Sequence, residues 1–175
     1  MNRPRGRDST NTIQLLILIV GFLLLVYYGF TSLIARDPLW FAGGFRGQAS
    51  RIVVYHAGQR TELRPGEAGF DELAGAVETS LDQGFARLTS IGLSEPSLQD
   101  AYTQFVTLEV FYERPIELHT WFVPGRTTQL LFLITGRYSE MSVVFLGQGG
   151  KYRSGAPVLE TVEPVREAVK SLGYY

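Results

Sequence analysis

Cysteine is absent from the 175 residues. That excludes disulfides, thiolate metal sites, a cysteine nucleophile and an acylated-cysteine anchor, so any folded part is held by its core alone. Histidine is nearly as scarce, with only His56 and His119. A zinc site would need both of them plus carboxylates from distant strands, and no metal or cofactor is expected. Neither Asn2 nor Asn11, the two asparagines, begins an Asn-x-Ser/Thr acceptor. The chain contains no Gly-x-Ser-x-Gly elbow, no His-Glu-x-x-His pair and no acidic calcium loop. Gly147-Gln148-Gly149-Gly150-Lys151 imitates a phosphate loop, but Phe145 stands where the first glycine belongs and Tyr152 follows the lysine, so the segment reads as a turn. No catalytic residue is assigned.

Positive charge is thin beyond the first residues. Of 16 basic residues, Arg3, Arg5 and Arg7 lie at the N-terminus and leave 13; of 17 acidic residues, Asp8 lies there and leaves 16, so the remainder carries −3. Those basic residues are scattered singly, which excludes a phosphate-binding surface and hence a nucleic-acid partner.

What the chain does have is one long apolar run. Residues 13–35 carry no charge, and 23 helical residues reach roughly 34 Å against a hydrocarbon core of about 30 Å. Arg3, Arg5 and Arg7 precede the run while Arg36 and Asp37 follow it, so the positive-inside bias puts the N-terminus in the cytoplasm. Tyr27, Tyr28, Trp40 and Phe41 suit the outer interface. The other reading is a cleaved signal peptide, but the apolar core is too long and Leu33-Ile34-Ala35 is a poor cleavage site. The expected organisation is a cytoplasmic tail over 1–12, a transmembrane helix over 13–35 that contacts the lipid bilayer, a tether over 36–50 and an extracytoplasmic domain over 51–175.

With 45% hydrophobic and 19% charged residues the domain has the composition of a folded one. Residues 51–56 and 60–63 flank Ala57-Gly58-Gln59 as a hairpin. Phe70, Leu73, Ala74, Val77 and Leu81 recur at helical spacing, with Gly84 ending or interrupting the helix, and a loop follows over 92–97. Strands are predicted over 104–112, 116–123, 129–135 and 141–148, joined as a four-strand meander. Val162, Val165, Val169 and Leu172 then form a stripe on a closing helix, with Pro164 near its start and Gly173 after it. This order predicts an α+β domain, two helices packed on one face of a mainly antiparallel sheet.

Within the meander, a three-residue loop at Glu113-Arg114-Pro115 sets Tyr112 opposite Ile116 and Glu109 opposite His119. One face is then apolar. The other carries Phe111 beside Glu117, His119 and Trp121, and the next turn adds Leu130 and Phe132. That aromatic face is the candidate contact surface for a protein partner, a second copy or the lipid headgroup region. The alternative is that residues 38–50 or 92–97 fold back over it, since 130–134 and 143–146 are apolar on both faces and need cover. Glu109 with His119 reads as an exposed cross-strand charge pair, a proton-transfer pair being the other reading. The expected function is a membrane-anchored interaction or assembly module, an accessory subunit of a membrane or envelope complex; the alternative is a binding or hydrolytic domain for a small or lipid-like ligand.

Overall fold

The computed structural model describes residues 8–41, 45, 47–116, 118–122 and 125–175. Its first element, α1 (Asp8–Ala35), is apolar all round and exposed along its length, with 25 residues long and apolar enough to cross a membrane. The domain that follows is α+β. Strands β1 (Ala49–His56) and β2 (Gln59–Leu63) form the expected hairpin. Its turn is Ala57-Gly58, both at positive φ, the mirror-image geometry that matches strand twist. Helix α2 (Phe70–Asp82) follows and stops before Gly84, whose φ of 90° only glycine adopts without strain.

The remaining elements are β3 (Phe85–Leu88), α3 (Glu95–Thr103), β4 (Thr107–Tyr112), β5 (Gln129–Leu133), β6 (Val144–Gln148), β7 (Lys151–Tyr152), β8 (Pro157–Leu159) and α4 (Glu163–Ser171). Six strands form one antiparallel sheet in the order β2-β1-β4-β5-β6-β7, a hairpin joined to a four-strand meander; β3 and β8 pair separately. Helices α2 and α4 pack together on one face of the large sheet. Leu73, Val77, Leu81, Val165 and Val169 are buried there, with Leu172 partly buried beside them. Leu81→Ala should therefore cost about 2 to 5 kcal/mol, read as a lower midpoint of thermal unfolding; an unchanged midpoint would contradict this packing.

The meander is built from different strands than the sequence predicts. Residues 116 and 118–122 are extended in burial pattern, with Ile116, Leu118 and Phe122 inward and Trp121 outward, but they enter no ladder. Instead β4 pairs directly with β5, Val110 opposite Leu130 and Leu108 opposite Phe132. The excursion between them closes through the Ile116 amide donating to the Thr127 carbonyl at 2.9 Å. The reason lies in the two-sided apolarity of β5, which is buried at every position. Such a strand belongs in the middle of a sheet covered on both faces, a place that a segment with His119 and Trp121 on one side cannot fill.

Cover for the second face comes from α3, whose first residues, 95–97, fall in the segment that the sequence predicts as a loop. Ser94 caps α3 by accepting from the Ser97 amide, and Pro96 sits in its first turn. Ala101, with Leu98 and Tyr102, closes a second core made by Leu131, Leu133, Phe145 and Val158. At the other end of the meander, Gly149 and Gly150 form a two-residue hairpin turn, both at positive φ. The apparent phosphate loop is this turn.

Candidate functional site

The six residues predicted to share a surface do not share one. Leu130 and Phe132 are 0% exposed in the core beneath α2 and α4. Because paired residues of neighbouring strands point to the same side, their pairing with Val110 and Leu108 turns them away from the face of Glu109 and Phe111. Phe111 is half-buried on the opposite face, under the Arg51 guanidinium 3.8 Å from its ring centroid. Glu117 lies outside the described residues. His119 stands in no ladder and pairs with Asp37, while Glu109 lies opposite Leu131. Of the described residues of the set, Trp121 alone is exposed, at 42%, its ring edge-on to Phe122.

Glu109 is only 3% exposed and is the hub of a polar network. Its Oε1 accepts from the Tyr102 hydroxyl at 3.1 Å, the Gln129 amide at 3.1 Å and the Tyr152 hydroxyl, while its Oε2 accepts from the Tyr55 hydroxyl at 3.2 Å. Gln129 in turn accepts from the Gly150 amide at 2.7 Å. Tyr152 reaches Glu109 from three strands away by crossing Gly147, where an added Cβ would stand 2.8 Å from its ring. A carboxylate offers about four acceptor positions, and four protein donors converge on this one, three of them on Oε1. The network fastens α3, β1, β5 and β7 to β4. Burial first and the Glu109 charge second push the phenols of Tyr55, Tyr102 and Tyr152 above their ordinary value. A lone acid in an apolar strand was the signal in the sequence, since a buried carboxylate requires donors.

Two other places have open geometry. The first is the junction of α1 and the domain. Asp37, just past α1, holds His119 Nδ1 at 2.8 Å with one carboxylate oxygen and accepts from the Leu39 amide at 2.8 Å with the other. Tyr28 donates to the Pro38 carbonyl at 3.0 Å, and Trp40 and Phe41 pack edge-on against Tyr27 and Tyr28. The start of the tether therefore folds back on the last turns of α1.

The second place is a cleft of about 800 Å³ between α2, the end of β4 and residues 45 and 47–50. Phe45, itself buried, stands edge-on to Tyr112 at 5.9 Å between ring centroids. It packs over Gly47, where a Cβ would stand 2.4 Å from the Phe45 ring. The cleft was not legible in the sequence because its walls come from segments far apart along the chain. Among the described residues no three histidine, aspartate or glutamate side chains stand together as a metal site. His56 is exposed at the end of β1, away from His119 at the junction.

No protein-family model matches this chain, nor does any curated protein or solved structure at a significant level.

Proposed function

We propose that the protein is a single-pass, membrane-anchored interaction module, with residues 13–35 in the bilayer, the N-terminus in the cytoplasm and the domain over 51–175 on the far side. It works by contact with a protein partner or a second copy in the same membrane. The exposed apolar helix supports the anchor, and Arg3, Arg5 and Arg7 ahead of it support the orientation.

The observation that carries the reading is the Asp37–His119 pair, which joins the domain to the residues just past the helix. A domain that binds freely diffusing molecules needs only a loose leash. One docked on its own anchor keeps a fixed height and orientation, as contact with a neighbour in the membrane requires. Protease added outside spheroplasts should digest the domain and spare the N-terminal tail, and chemical cross-linking of native membranes should capture a partner or a dimer. Asp37→Asn with His119→Gln should leave the domain folded and reduce that cross-linking severalfold. Capture of neither a partner nor a dimer from native membranes would overturn the reading, as would a domain accessible only from the cytoplasm. The cleft beside α2 favours a second reading, a ligand-binding domain.

A further inference from the structure

We infer that the cleft between α2 and the end of β4 is a binding site for an organic cation with an apolar body, an ammonium or guanidinium group carried on an aromatic or aliphatic frame. The volume, about 800 Å³, is that of a small-molecule site rather than a packing defect. Its floor is apolar, where the edges of Phe45, Phe70 and Ile116 reach the cleft, and its rim is polar. Such a floor selects a ligand body that gains by leaving water.

The polar groups set the sign of the charge. Asp71 and Glu78 project from α2 and Glu113 from the loop after β4, and among the described lining residues Arg114 is the one cation against them. Among the described residues none of these four has an ion-pair or hydrogen-bond partner, and together these four carry a charge of about −2. At exposed positions alone such a cluster is an ordinary solvated surface.

Tyr112 sets it apart. Only 6% exposed, Tyr112 lines the cleft, and its hydroxyl has no hydrogen-bond partner among the described residues. The three other tyrosines of the sheet and α3, Tyr55, Tyr102 and Tyr152, all donate to Glu109. The Tyr112 hydroxyl is not sealed off by protein, so it opens into the cleft. Burial, followed by the Glu78 charge, pushes its phenol above the ordinary value, which puts that carboxylate within electrostatic reach of the hydroxyl. A neutral phenol beside carboxylates offers its oxygen lone pairs to an N–H donor while the carboxylates neutralise the charge. An anionic ligand would meet the same carboxylates as repulsion.

Two sources of this chemistry are separable, a free amine and the basic side chain of a peptide. Full-length protein in zwitterionic nanodiscs is titrated calorimetrically with phenethylamine and with phenylacetate. A second pair of capped tripeptides carries lysine or glutamate between two phenylalanines. At least one cationic probe should bind about tenfold tighter than its anionic counterpart. Asp71→Asn with Glu78→Gln, both at exposed positions, should abolish that preference, and Tyr112→Phe should weaken the cation about threefold while keeping the preference. Binding of the tripeptide alone identifies a peptide as the source, and binding of phenethylamine a free amine. Failure of both cations to bind, equal binding of cation and anion, or a preference that survives Asp71→Asn with Glu78→Gln overturns the inference. None of these outcomes touches the cross-linking test of the membrane module.

Discussion

Phe132→Ala should destabilise the domain by about 3 to 5 kcal/mol, whereas Trp121→Ala should change its stability by no more than about 1 kcal/mol. The sequence places the two aromatics on one exposed face; the structure buries Phe132 in the core and leaves Trp121 at the surface. Phe132 sits opposite Leu108 on one side and Val144 on the other, beneath α2 and α4. Truncating it leaves a cavity in the middle of the largest core, where the surrounding strands are held by ladders on both edges and relax little. Trp121 lies on the 113–128 excursion with much of its ring in solvent. Its loss removes one edge contact with Phe122. Unfolding of the detergent-solubilised chain in urea, followed by near-ultraviolet circular dichroism, measures both. Equal small losses would restore Phe132 to a surface.

The difference between those residues shows what the sequence can and cannot say. Helical spacing placed Leu73, Val77 and Leu81 on a buried stripe and Val165 and Val169 on its partner, because period 3.6 constrains a face regardless of what lies across from it. Strand periodicity also held: Ile116, Leu118 and Phe122 turn inward as the pattern requires. Pairing is a different matter. Alternation states which residues share a side of one strand but not which strand lies beside it, and the shortest connection is only a tendency. The run Leu130 to Ile134, apolar on both sides, demanded a central position with two covers, and Ser94-Glu95-Pro96-Ser97 held the cap that starts one of those covers. With 92–97 read as a loop and 98–103 given no element, that segment could be named only as one alternative cover for the second face. The Glu109 network was illegible for the same reason, since its donors come from β1, α3, β5 and β7, which only the fold brings together.

Glu109→Leu should be among the most damaging single substitutions outside the apolar core, costing about 3 to 5 kcal/mol, with Glu109→Gln costing about 1 to 2 kcal/mol. Leucine nearly matches the volume but accepts nothing. The Gln129 amide, buried on the sheet, then has no acceptor, and the Tyr152 hydroxyl, held over Gly147, loses the group it crosses two strands to reach. Tyr55 and Tyr102, half-buried with rings 4.3 Å apart, can turn their hydroxyls toward water and soften the loss. Glutamine keeps one oxygen for the three donors that share Oε1, and its amide can donate to the Tyr55 oxygen, so it loses charge assistance more than connectivity. The pH dependence follows from the raised phenols. Their contribution is complete below the ordinary tyrosine value of 10.0 and is lost as the pH climbs above it, because the unfolded chain gives up those protons first. In Glu109→Leu the burial that is the larger cause remains while the carboxylate charge is gone, so the alkaline decline in unfolding midpoint should be shallower than in the unmodified protein. Identical alkaline slopes, or a cost for Glu109→Leu no greater than that for Glu109→Gln, would mean that the tyrosines are held by packing alone and that the carboxylate fastens nothing.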